Sequence, residues 1–140
     1  MSGIEDVLNA NEIMTLATVC EDGSPWATPV KFGVLKNVLY WRSYDESTHS
    51  KNIQRDGRVS ISVCDAIVRP VAGELQAAYI QTIAEKIDET QWNEILSQIG
   101  HRMSSRDEGL PIYAAPLGEV DEANATDSRF YRKYAPGVIA

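Results

Sequence analysis

Residues 15–20 read TLATVC, residues 21–24 EDGS, and residues 25–34 PWATPVKFGV. The first and third pieces are β-branched and apolar, the composition that fits a pleated, half-buried strand. Between them, Asp22-Gly23 is a turn dipeptide, since hairpin turns need residues that tolerate positive φ. Leu35, Lys36 and Asn37 make a second short connection into VLYWRSY at 38–44. Three strands joined by tight turns form an antiparallel meander.

Working outward, residues 4–13 put Ile4, Val7 and Leu8 on one helical face and Glu5, Asp6 and Asn9 on the other. DESTHSKNIQRD (45–56) reads as a short polar helix. GRVSISVCDA (57–66) alternates, with Val59, Ile61 and Val63 opposite Ser60, Ser62 and Cys64. LQAAYIQTIAEKI (75–87) is a further strand with Leu75, Ala77, Tyr79, Gln81 and Ile83 on one side, where Gln81 breaks the apolar pattern. Residues 88–106 return to helix, with a capping box at Asp88 and Gln91 and a core stripe of Trp92, Ile95, Leu96, Ile99 and Met103. Glycines, prolines and acids make 107–127 a long loop, in which LPIYAAP (110–116) reads either as a flap over a site or as a solvated connector. SRFYRKY (128–134) is a closing strand. The expected fold is mainly β: a closed or partly closed antiparallel barrel with a few helices, one domain over 1–140.

At 140 residues the chain is long enough to bury a core without disulfides or metal. Its hydrophobic 44% and charged 24% are those of a globular protein, not a disordered or fibrous one. A net charge of -7 argues against nucleic-acid binding, which needs a basic face. No run approaches a membrane span, and the acidic N-terminus lacks the features of a signal peptide, so the expected location is the cytoplasm. Cys20 and Cys64 lie in strand-like runs and read as two buried, reduced thiols. Dinucleotide, P-loop, nucleophile-elbow and zinc motifs are missing, and no metal site is expected. The two histidines, His49 and His101, lie on different elements.

Residues 40–58, YWRSYDESTHSKNIQRDGR, carry the most chemistry. Ser47, Thr48, His49 and Ser50 gather where a strand ends and a helix begins, and Lys51 and Arg55 follow. Hydroxyls, an imidazole, an ammonium and a helix N-terminus together suit a phosphate. The same residues also read as a plain N-cap followed by solvated cations, and the residues alone leave both readings open. Trp26, Trp41, Tyr40 and Tyr44 likewise read either as a wall for a planar ring or as ordinary strand aromatics.

The ordered set IMTLATVCEDGSPWATPV, VLYWRSYDESTHSKNI and GRVSISVCD, continued by LQAAYIQTIAEKID, resembles the pyridoxamine 5'-phosphate oxidase-like family of FMN-binding split barrels. That resemblance implies a six-stranded antiparallel split β-barrel, a homodimer with one FMN in each of two clefts between subunits. It implies that Thr28, Pro29, Val30 and Lys31, on the second strand, lie along the flavin ring. Trp41, Arg42 and Ser43 would contact the ring or ribityl chain, and Thr48, His49, Ser50, Lys51 and Asn52 would hold the phosphate. The chain ends in YRKYAPGVIA, without the family's C-terminal R-x-H segment, so the vitamin substrate is not carried over. A deazaflavin or haem in place of FMN is the alternative cofactor.

The expected function is an FMN-dependent oxidoreductase transferring a hydride through flavin N5 between a small-molecule substrate and a reductant. No catalytic residue is assigned. A non-catalytic flavin-binding or stress-related protein is the competing reading, and an interaction domain without cofactor is a third.

Overall fold

The computed structural model describes residues 3–64, 76–103, 109–120 and 130–134. Helix α1 (Gly3–Ala10) buries Ile4, Val7 and Leu8 and leaves Glu5, Asp6 and Asn9 in water, as its pattern requires. Arg102 reaches back to its C-terminal end, donating to the carbonyls of Asn9 (3.1 Å), Leu8 (3.2 Å) and Asn11, while its guanidinium lies over the Phe32 ring. A cation on the last carbonyls of a helix complements the negative end of its dipole.

Strands β1 (Ile13–Val19) and β2 (Pro25–Lys31) form the expected hairpin, closed by Gly23 at φ 88° and by Asp22, which accepts from the Ser24 N–H and hydroxyl. The Cys20 N–H donates to Ser24 O and the Phe32 N–H to Glu12 O, so even-numbered residues of the hairpin make the ladder bonds. Bonded and non-bonded pairs alternate in an antiparallel ladder. The odd residues of β2 (Pro25, Ala27, Pro29 and Lys31) therefore turn their carbonyls outward, with outward N–H groups only at Ala27 and Lys31. Both prolines fall where no ladder donor is lost. This matters because, among the described residues, β2 is an edge strand of its sheet.

At the buried Phe32 the chain changes sheets, so the single strand expected over 25–34 is two: β2 and the short β3 (Gly33–Leu35). Lys36 and Asn37, at φ 49° and 66°, form the two-residue turn into β4 (Val38–Arg42). Helix α2 (Thr48–Arg55) follows, then β5 (Arg58–Cys64), β6 (Ala77–Ile83) and β7 (Glu85–Lys86). A 3₁₀ turn, helix α3 (Trp92–Ile99) and a second 3₁₀ turn replace the one helix expected from residue 88. Its stripe is core, as expected: Ile95, Ile99 and Met103 pack with Ile112, and Trp92 and Leu96 flank them. Asp88 caps the first turn through the Thr90 N–H and hydroxyl, not through a box with Gln91. The stretches 65–75 and 104–108, parts of expected elements, lie outside the described residues.

The expected loop at 107–127 is a correction. It contains β8 (Ile112–Pro116) and β9 (Glu119–Val120), and Ile112, Tyr113, Ala114 and Ala115 are all buried. A strand buried on both faces shows no alternation, so its breakers dominated the reading. β10 (Phe130–Tyr134) is the expected closing strand, but it pairs parallel to β6.

The sheets run β2-β1-β5-β6-β10-β9 and β3-β4-β8-β7, giving a mainly β split barrel. Ten strand segments among the described residues stand where six were expected, partly because two expected strands are each cut in two. The main core fills the space between the sheets with Met14, Leu16, Leu39, Trp41, Ile61, Ile80 and Tyr113. Alternation in β5 holds as read. In β6 the buried side is Ala78, Ile80 and Thr82, so Gln81 lies on the outward side with exposed Tyr79 and Ile83, which accounts for its polarity. The two buried thiols are also corrected. Cys20 is half-buried, and Cys64 is exposed because it belongs to the outward half of β5. Among the described residues no helix is long and apolar enough to cross a membrane.

Candidate functional site

A groove of about 230 Å³ opens beside the edge of β2. Pro29, Val30 and Lys31 form one side. Arg42, at the end of β4, and Ser43 and Tyr44 after it form the other, with Ser47 and His49 from the start of α2 and Leu110 from the segment before β8.

Ser47 is the N-cap of α2: its hydroxyl accepts from the Ser50 N–H at 3.4 Å and donates to the Tyr44 carbonyl at 2.8 Å. That cap folds the chain so that three serines meet. Ser50 Oγ donates to Ser43 Oγ at 3.1 Å, and Ser43 Oγ lies 3.1 Å from Ser47 Oγ and 2.6 Å from His49 Nε2. His49 is half-buried, and that desolvation lowers its pKa by penalising the charged ring. Arg42 Nε donates to the Leu110 carbonyl at 3.2 Å, which orients its guanidinium. The turn carrying these groups is tied down by Asp45, which accepts from Tyr113 Oη at 2.6 Å and pairs with Lys86 Nζ at 2.7 Å. Both contacts hold the Asp45 carboxyl below its ordinary pKa, the Lys86 bond being the larger cause.

Of the twelve residues expected at the site, Pro29, Val30, Lys31, Arg42, Ser43 and His49 line the groove. Ser50 lies buried beneath it within the hydroxyl cluster, and Thr48 is exposed on the first turn of α2. Thr28 is half-buried on the inward side of β2. Trp41 points into the core, fully buried and stacked on Tyr113 at 6.2 Å between ring centroids. Lys51 does not reach the groove; it is exposed and pairs with Glu46 at 3.3 Å. The reason is helical geometry, since residues two apart on a helix point nearly opposite ways and His49 takes the inward direction. Asn52 is buried and structural, donating to Thr18 Oγ1 at 2.9 Å and so pinning α2 to β1. Arg55 donates to the Val19 carbonyl. The groove's cations therefore come from the strands, as Lys31 and Arg42, not from the helix.

The aromatic wall also comes apart. Trp41 is core, Tyr40 packs against the α3 cluster, Trp26 lies apart on β2, and Tyr44 alone of the four lines the groove. Tyr44, Ser47 and Leu110 also line the groove, outside the twelve residues. Each carried a signal: Ser47 in the hydroxyl cluster at the helix start, Tyr44 among the strand aromatics, and Leu110 in the LPIYAAP stretch whose reading as a flap over a site was one of two.

Residues 3–126 match the family model described as pyridoxamine 5'-phosphate oxidase. The chain belongs to the pyridoxamine 5'-phosphate oxidase-like split-barrel family. Solved structures agree on the fold. The haem storage protein of Vibrio cholerae is 17% identical with a TM-score of 0.70, the match covering 83% of this chain and 88% of that one. An FAD-binding protein of Mesorhizobium loti is 17% identical with a TM-score of 0.63, over 85% of this chain and 91% of that one. A haem-binding protein of Mycobacterium smegmatis is 18% identical with a TM-score of 0.65; the match covers 84% of this chain but only 52% of that longer one. At these identities the likeness is one of fold. No curated protein matches the chain. The groove of this chain combines the outward edge of β2, unpaired among the described residues, with cationic and hydroxyl-bearing side chains.

Proposed function

We propose that the chain is an FMN-binding flavoprotein, an oxidoreductase acting as a homodimer in the cytoplasm. The observation that carries this reading is the junction of two unlike surfaces in one groove. The outward edge of β2 offers carbonyls together with the N–H groups of Ala27 and Lys31, a donor–acceptor row suited to the polar edge of a flat ring. Beside it, Lys31, Arg42, Ser43 and His49 supply the charged and neutral donors a phosphate needs.

The groove's size supports the dimer. Pockets that enclose a cofactor-sized ligand run to roughly 300–1,000 Å³. The groove in one chain, at about 230 Å³, is smaller. A second copy related by a two-fold axis would complete the cover, and exposed Ile13, Tyr79 and Ile83 on the outward face of the larger sheet suit such a contact.

Bound FMN supplies the hydride chemistry at its N5. The protein's part is to orient the ring along β2, hold the phosphate and exclude water; it need not provide a general acid or base. Two structural neighbours bind or store haem, but the His49 Nε2 is taken up by Ser43 at 2.6 Å and His101 is exposed on a 3₁₀ turn outside the groove.

The test is the visible spectrum and the mass of the small molecule that copurifies, with light scattering on the same sample. Flavin bands, an FMN mass and a particle of about twice 15.5 kDa are expected. Bleaching by NADH or NADPH with recovery in air marks the oxidoreductase. A haem Soret band at full occupancy, or a flavin-loaded monomer, would overturn the corresponding part.

A further inference from the structure

Ser43, Ser47 and Ser50 carry one hydroxyl proton each, and counting those protons exposes a property of His49. Ser50 donates to Ser43 at 3.1 Å, and the Ser47 proton is shared between the Tyr44 carbonyl and Ser50 Oγ, each at 2.8 Å. The Ser43 proton then has two acceptors in reach: His49 Nε2 at 2.6 Å and Ser47 Oγ at 3.1 Å. In one arrangement Ser43 donates to Nε2, and His49 is neutral with its proton on Nδ1. In the other, Nε2 carries a proton and donates to Ser43, whose own proton turns to Ser47. Ser47, as donor to Tyr44 O, has lone pairs to receive it. Each serine hydroxyl finds an acceptor in both arrangements, and gain of a proton at Nε2 together with rotation of the Ser43 hydroxyl converts the first into the second.

The surroundings of the ring decide which arrangement holds. Lys31 from β2 and Arg42 from β4 line the same groove, and the Tyr44 phenol is beside them. On the other elements packed nearby the charged groups are engaged: Glu46 with Lys51, and Asp45 with Lys86 and the Tyr113 phenol. Burial favours the neutral ring. A dianion placed against Lys31 and Arg42 puts negative charge in the groove beside the ring and favours the cation.

We propose that the groove is a proton-coupled anion site: a bound phosphate dianion brings one proton from solvent onto His49 Nε2, and Ser43 changes from donor to acceptor. The proposal rests on the flavin reading only for the compound that carries the phosphate. One N–H bond forms, and no other covalent bond changes.

Two probes separate the ideas. Titrating the His49 ring resonances by NMR with and without inorganic phosphate should show the midpoint rising when phosphate is present. Calorimetry of FMN binding in buffers of different ionisation enthalpy should show uptake approaching one proton. Affinity should fall by up to about tenfold for each pH unit between the free-state and bound-state midpoints of His49 and level off above the bound-state midpoint. His49→Gln keeps a donor and an acceptor but cannot titrate, so the buffer dependence should vanish. Ser43→Ala should lower the phosphate-bound midpoint of His49, and Ser43→Thr should restore it. FMN binding without proton uptake, or uptake unchanged in His49→Gln, overturns the proposal and leaves the flavin reading standing. A midpoint raised by phosphate in a protein that does not bind FMN upholds the proposal and removes the flavin reading. A midpoint that neither ligand moves overturns it, and the wild-type titration decides this even if a variant fails to fold.

Discussion

Replacing Arg42 and Lys51 by alanine, one at a time, separates a groove cation from a surface one. Arg42 lines the groove and is oriented by its 3.2 Å bond to the Leu110 carbonyl. A charge-assisted hydrogen bond is worth roughly 1.5–3 kcal/mol, and 1.4 kcal/mol is one decade of affinity. Arg42→Ala should therefore weaken FMN by about ten- to a hundredfold. Lys51, whose side chain is 62% exposed, spends its charge on Glu46 at 3.3 Å. Its field reaches the groove only through solvent, screened over about 8 Å at physiological salt, so Lys51→Ala should cost less than about threefold. Quenching of flavin fluorescence measures both constants, with riboflavin as the ligand lacking a phosphate. Riboflavin should bind wild type and Arg42→Ala almost equally. Arg42→Lys tests the fork: it keeps the charge, loses the paired N–H geometry and should fall between. A loss of FMN affinity in Lys51→Ala larger than in Arg42→Ala would refute the placement of the anion. So would equal loss of riboflavin and FMN in an Arg42→Ala protein with unchanged melting.

Three further outcomes follow from the packing. A Cβ at Gly57 would stand 2.7 Å from the Ala84 carbonyl oxygen, backbone that is itself held by the Ala84 N–H on Gly57 O, so Gly57→Ala should cost about 1–3 kcal/mol in urea unfolding. Asn52→Ala strands the buried Thr18 hydroxyl and loosens α2 from β1; a loss of about 1–3 kcal/mol is expected, and Thr18→Val in the same background should recover part of it. Asp56 is held at a pKa of about 2 by its hydrogen bonds from Arg58, and the Asp45 carboxyl is also lowered. A depressed carboxyl contributes stability above its unfolded value and loses it as pH falls through the folded one, so unfolding midpoints should drop between about pH 4 and 2 and drop less in Asp56→Asn.

Local periodicity made much of this molecule legible. The hairpin at Asp22-Gly23, the alternation of β5, the apolar side of α1 and the stripe of α3 all depend on residues within one turn or one strand of each other. The N-cap serine and the histidine two places later were legible for the same reason, and with them half of the groove. The direction of Lys51 was written in the helical period as well, since two residues apart means opposite sides.

What local pattern cannot carry is the partner across the fold. β8 is buried on both faces, so nothing alternates and its prolines read as a loop, yet it stacks Tyr113 on Trp41 and places Leu110 at the groove. The switch of sheets at Phe32 depends on β3 finding β4, and the position of β2 at the sheet's edge, among the described residues, on β1 pairing with β5 on its other side. Arg42 meets Leu110 and Asp45 meets Tyr113 across 68 residues of chain in each case. Hydrophobic period and turn chemistry act over a few residues and set the elements; burial and hydrogen-bond satisfaction act through space, and they decided which side chains of those elements share one groove.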